Sequence, residues 1–185
     1  MFLSGDPRTL SAEVAKAAKP EPQVRLQRIA DGDAGTRETL KIMADFARAA
    51  VRNPAQTIRQ RAISLFSGIP PRQFTSEIRA LQAFVRDQIR YMRDPYGVEL
   101  VQTPEKTLEL GVGDCDDKST LLAALLMASG HPSQFVAIGF DAGGPFSHVL
   151  VETKVGNRWL PLETIINKEP GWFPSGVKRQ YRRSI

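Results

Sequence analysis

The stretch GVGDCDDKSTLLAALLMASG, residues 111–130, constrains this chain more than any other. A glycine-rich turn runs straight into a helix-forming run. Leu121, Leu122, Leu125 and Leu126 give that helix a wide apolar face. A face that wide must be covered by other elements, which puts the helix at the centre of the fold. Gly130 is the expected C-cap, since glycine takes left-handed backbone without steric cost.

The same helix carries the chain's single cysteine, Cys115, in its first turn. Unpaired backbone N–H groups and the helix dipole at that end favour a thiolate, the reactive form of cysteine. Charged neighbours after two glycines, Asp114 and Asp116, are a poor setting for a residue that only fills core. Asp116 and Asp117 oppose the dipole by charge, or else cap the free N–H groups. His148 follows in the strand-like run FSHVLVE, and Glu163 in RWLPLET. Nucleophile, base and orienting acid in that order form a cysteine-hydrolase constellation.

The second half of that constellation has a geometric condition. Gly156 and Asn157 are a two-residue hairpin signal. With those two as the turn, Glu163 faces Leu150, one pleat step along from His148. Side chains two apart share a face, so His148 and Glu163 become diagonal neighbours within reach of each other. A three-residue loop would flip the parity and separate them.

Around this core the periodicities predict helices first and strands second. One helix begins with Thr36 as N-cap and places Leu40, Met43, Ala47, Ala50 and Val51 on one face, ending at Asn53-Pro54. A second holds Ile58, Ala62, Ile63 and Phe66 and stops at the Gly68–Pro71 stretch. A third runs from about Thr75 to Met92 with Ile78, Leu81, Val85 and Ile89. The connection Arg93–Asp114 is longer than a simple link and is expected to be a loop shaping the cleft before Cys115. Strands follow at Gln134–Phe140, Phe146–Thr153 and Arg158–Thr164. This order describes an α+β domain. Residues 1–35 read as a polar N-terminal arm with one short strand at Val24, Leu26 and Ile29. Residues 36–170 read as the domain, and 171–185 as a basic tail.

The totals narrow the class. At 185 residues with 42% apolar content, the chain suits one domain with a real core. One cysteine excludes an intramolecular disulfide and fits a reducing compartment. No apolar run approaches the roughly 18 residues needed to cross a bilayer. The start, MFLSGDPRTL, lacks a signal peptide's features, so a soluble protein made in the cytoplasm is expected. The charge of +5 and a pI near 9.6 owe much to the end VKRQYRRSI, expected to be a solvated, frayed tail. Nucleic acid is not an expected partner, because no binding motif accompanies that charge. One cysteine and two histidines without paired spacing do not make a zinc site, and Asp114, Asp116 and Asp117 lack EF-hand spacing. No metal or other cofactor is expected. His131, between a helix C-cap and a proline, is expected to be a surface or capping residue.

GVGDCDDKSTLLAALLMASGHPSQFVAIGF, FSHVLVE and RWLPLET together resemble the transglutaminase-like superfamily, whose fold is papain-like. The preceding IRYMRDPYGVELVQTPEKTLELG resembles that family's approach to its nucleophile. The resemblance implies Cys115 as nucleophile, His148 as base and Glu163 as orienting acid, where aspartate is usual. It implies the Cys115 backbone N–H as an oxyanion donor, with Gln102 as a candidate second donor. It further implies an acyl transfer on a protein or a peptidoglycan peptide. The compact form, with its arm and tail, is similar to bacterial and phage or prophage copies. That implies phage structural proteins as partners and incorporation in a virion or tail, with a non-catalytic assembly component as the alternative.

Overall fold

The computed structural model describes residues 31–95 and 100–185. The short strand expected at Val24–Ile29, and most of the expected arm, lie outside the described residues. Among the described residues five helices come in order: α1 Gly32–Arg52, α2 Thr57–Ser64, α3 Phe74–Gln88, α4 Pro104–Leu110 and α5 Cys115–Ala128. The strands are β1 Arg90–Tyr91, β2 Val112–Gly113, β3 Ser133–Gly139, β4 His148–Val155, β5 Arg158–Leu162 and β6 Arg179–Ser184. β1 and β2 form a small parallel pair, and the other four make an antiparallel sheet in the order β5-β4-β3-β6. The architecture is α+β, with N-terminal helices and the Cys115 helix packed on an antiparallel sheet.

α5 lies at the centre, as its apolar face requires. Leu121, Leu122, Leu125 and Leu126 are fully buried. They pack with Met43 and Ala47 of α1, Ile58 and Ala62 of α2, Ile78, Leu81 and Val85 of α3, and Phe135, Val149 and Val151 of the sheet. The sheet's other face holds a smaller cluster, Val136, Ile138 and Leu150, covered by Phe173 and Val177. α5 ends where expected. Gly130 takes φ +86°, its N–H donates to Met127 O, and the N–H of His131 donates to Leu126 O, which satisfies the last carbonyls.

The hairpin has the anticipated register. Val155 pairs with Arg158 and Val151 with Leu162, so Gly156 and Asn157 are the two turn residues. β5 stops at Leu162 rather than at Thr164. The Glu163 carboxylate takes the N–H groups of Thr164 and Ile165 and turns the chain out of the sheet.

Several boundaries differ from the sequence expectation. Thr36 is not an N-cap: α1 begins at Gly32 after Asp31, and Thr36 Oγ1 donates back to Gly32 O. Ile58 and Ala62 of α2 are buried, but Ile63 is exposed. α3 ends at Gln88, short of Met92. The N–H groups of Arg90 and Met92 instead donate to Gly111 O and Gly113 O across the β1–β2 pair. The expected loop Arg93–Asp114 contains α4, started by a Thr103 side-chain cap and Pro104 in the first turn.

The basic end is not frayed. Residues Arg179–Ser184 form β6, paired with β3 along its length. Arg182 grips the buried Glu152 through two nitrogens, at 3.0 and 3.1 Å, and Gln134 donates to the same carboxylate at 2.6 Å. The positive charge of this end is therefore spent in part on the fold.

Candidate active site

Three backbone devices hold Cys115 in place. The β1–β2 pair fixes the turn before α5. Gly113 then passes so close to Asp117 that an added Cβ would lie 2.6 Å from the Asp117 Cβ, so only glycine fits. Finally, Asp114 caps the helix. Its side chain accepts from the N–H groups of Asp116 and Asp117, while Asp117 reaches back to the N–H of Asp114. That cap leaves the N–H of Cys115 out of its bonds.

His148 opens β4, and Glu163 follows β5. His148 Nε2 lies 2.8 Å from Glu163 Oε2, as the diagonal register requires. Glu163 is 2% exposed, and its other oxygen accepts from Thr164 and Ile165 at 2.8 and 2.7 Å. Burial pushes the Glu163 carboxyl up, but the His148 hydrogen bond and charge and the two backbone donors outweigh it, leaving it below its ordinary value. An ionised carboxylate can only accept, so Nε2 carries the proton and Nδ1 remains the basic nitrogen.

Cys115 stands beside the start of β4. Ser119, one turn further along α5, donates to Val149 O at 3.3 Å. The Cys115 Sγ donates to Asp116 Oδ1 at 3.5 Å. The electrostatics around the sulfur run against the expected thiolate. Burial pushes the Cys115 thiol well up, the charges of Asp116 and then Asp114 add to this, and the N–H of Val149 only partly offsets them. Burial and the two carboxylates favour the thiol, in opposition to the helix dipole.

This gives a direct prediction. Asp116→Asn removes the larger of the two charge effects and shifts the pH profile of iodoacetamide alkylation at Cys115 to lower pH. Asp114→Asn, which keeps a good cap, shifts it less. An unchanged profile in Asp116→Asn would show that the carboxylate does not control the thiol.

The acids around the cysteine are themselves perturbed. Burial and the Asp117 charge push Asp114 up to about 6. Burial also raises Asp117, against the hydrogen bonds of Gln102 and Asp114. Gln102 is committed to this cluster. Its backbone N–H and its Nε2 both donate to Asp117 at 2.7 Å, and Nε2 also reaches Val112 O. Its amide donor therefore braces the cap rather than standing free for an oxyanion. Asp114, Cys115 and Asp116 bring ligand atoms within 4.8 Å of one another. Within that cluster one Asp114 oxygen already accepts two N–H groups.

Two buried polar residues near the site escaped the sequence reading. Lys118, 1% exposed on α5, donates to Arg86 O at 3.1 Å and Ile89 O at 2.6 Å at the end of α3. Burial lowers it to about 8 while the charges of Asp87 and Glu163 pull the other way. Gln82 of α3 donates to Glu163 O. The carbonyl partners of both lie far off in sequence, so no local pattern signals them. His131 takes part in the cap of α5 through its N–H, as expected, but it is not a surface residue. It is buried, 3.1 Å from Glu77, with its ring edge-on to Phe74.

Residues 60–164, more than half of the chain and including Cys115, His148 and Glu163, match the transglutaminase-like superfamily. No curated protein matches. Among solved structures, a candidate protease from Parabacteroides distasonis is 14% identical with a TM-score of 0.53, over 68% of this chain and 26% of its own. A candidate cysteine protease from Cytophaga hutchinsonii is 15% identical with a TM-score of 0.48, over 70% of this chain and 47% of its own. The chain thus spans less than half the length of either. Among the described residues, no helix is long and apolar enough to cross a membrane.

Proposed function

This chain belongs to the transglutaminase-like superfamily, and on that premise we propose that it is a cysteine hydrolase of peptide or isopeptide bonds. The observation that supports this most is the His148–Glu163 pair, a buried carboxylate 2.8 Å from an imidazole at the start of the strand beside Cys115. Cys115 is the nucleophile, His148 the base and Glu163 the group that orients the imidazole. His148 Nδ1 takes the thiol proton as the sulfur attacks the substrate carbonyl. The C–S bond forms, and the oxyanion takes the Cys115 N–H that the Asp114 cap leaves out. The C–N bond breaks as the imidazolium returns the proton to the leaving amine. Water then attacks the thioester, His148 takes its proton, and Cys115 leaves as the thiol. A protein or a peptidoglycan peptide fits this chemistry as substrate.

A second reading has its own support in the raised Cys115 thiol. The same fold would serve as a non-catalytic assembly module, as in a phage virion or tail. The phage setting rests on sequence resemblance alone. The two readings part on one experiment. The wild-type protein mixed with an activated ester should gain an acyl group on Cys115, and Cys115→Ala should gain none. A wild-type protein that stays unmodified would favour the module.

A further inference from the structure

We infer that Gln82 is a positioning residue for the His148–Glu163 pair, set on α3 to hold the backbone from which Glu163 reaches the imidazole. The inference rests on the hydrolase proposed above for its consequence in activity, but not for its geometry. Gln82 is 1% exposed and sits among Ile78, Leu81 and Val85 in the buried stripe of α3. A polar side chain at such a site has to be hydrogen-bonded. Its Nε2 donates to Glu163 O at 2.9 Å and to Lys168 O at 3.2 Å. One NH2 group thus spans both ends of the segment that leaves β5. Arg86, one turn further along α3, adds a donor to Lys168 O at 3.2 Å.

The need for that clamp lies in Glu163 itself. β5 ends at Leu162, so Glu163 is outside the sheet ladder and its backbone is not held by strand pairing. Its side chain curls back to accept the N–H groups of Thr164 and Ile165, which ties the carboxylate to the local turn but not the turn to the protein. Gln82 supplies the missing anchor by fixing the carbonyl of the same residue. Rotation of that peptide would swing Oε2 away from His148. α3 also receives Lys118 from the cysteine helix on its last carbonyls. The same helix therefore sets the acid against the base and is itself tied to the helix of the nucleophile.

The chain's two histidines make this testable. In protein labelled with 15N-histidine, the Nε2–H of His148 reports the Glu163 bond. His131, bonded to Glu77 on the same α3, reports the integrity of that helix. Gln82→Met keeps the volume and removes both donors. The expected result is loss or broadening of the His148 Nε2–H signal with that of His131 unchanged. Substrate cleavage should fall by about tenfold or more, in kcat rather than KM. A His148 signal like the wild type's would overturn the inference. Equal loss of both histidine signals would overturn it too, since Gln82 would then only hold α3 together. Should Gln82→Met not fold, Gln82→Asn, which pulls the amide back by one methylene, is read in the same way. A lost His148 signal in a protein whose wild-type Cys115 is never acylated would leave the positioning role standing and remove the hydrolase alone.

Discussion

His148→Ala should slow amide cleavage by about 10²–10⁴-fold, the range over which a positioned general base acts. The structure makes the dependence steep. Burial, Asp116 and Asp114 all favour the thiol form of Cys115, so attack depends on a base to take the proton. Glu163→Gln should cost less, because the glutamate orients the imidazole and does not attack. An amide in its place still offers one oxygen, but that oxygen cannot serve His148 and the N–H groups of Thr164 and Ile165 together. The check is kcat/KM for both variants, with near-UV circular dichroism to confirm the fold. A Glu163→Gln loss equal to that of His148→Ala would mean the carboxylate does more than orient.

The largest effect on stability should come from the middle of α5. Leu122 is fully buried in a helix covered by other helices on one side and by the sheet on the other. Leu122→Ala leaves a hole that such a tightly enclosed site cannot collapse to fill, at a cost of about 2–5 kcal/mol. Against a typical total of roughly 5–15 kcal/mol, that is a large share. The urea midpoint should drop with the slope unchanged. Ile63→Ala is the control, since Ile63 is 58% exposed on α2 and its loss should change stability by less than about 0.5 kcal/mol. Equal shifts in the two variants would contradict the placement of α5 at the centre.

What the sequence revealed is what local pattern can encode. The apolar run after Cys115 and the left-handed Gly130 mark α5 from end to end. Gly156-Asn157 sets the β4–β5 register by parity alone, and with it the meeting of His148 and Glu163. β6 was missed because its arginines look solvated until β3 and Glu152 are in place to pair with them. α4 was missed although Thr103-Pro104 is a cap followed by a helix-starting proline; its short length hid it in a long connection. The electrostatics of Cys115 are only half legible, because helix position is visible in sequence whereas burial against β4 is a tertiary fact. Gln82 and Lys118 are invisible for the same reason. Each is a polar residue whose backbone partners lie in another element, and helical periodicity says only that such a position faces inward.

Acylation of Cys115 tests the central claim most directly. The wild-type protein and His148→Ala would each be mixed at neutral pH with an activated ester, p-nitrophenyl acetate, and followed by intact mass and peptide mapping. The account predicts one acetyl group on Cys115 of the wild type, gained and then lost as water completes turnover, with formation slowed by about a hundredfold or more in His148→Ala. Equal acylation in both proteins, or none in the wild type, would contradict a cysteine hydrolase driven by His148.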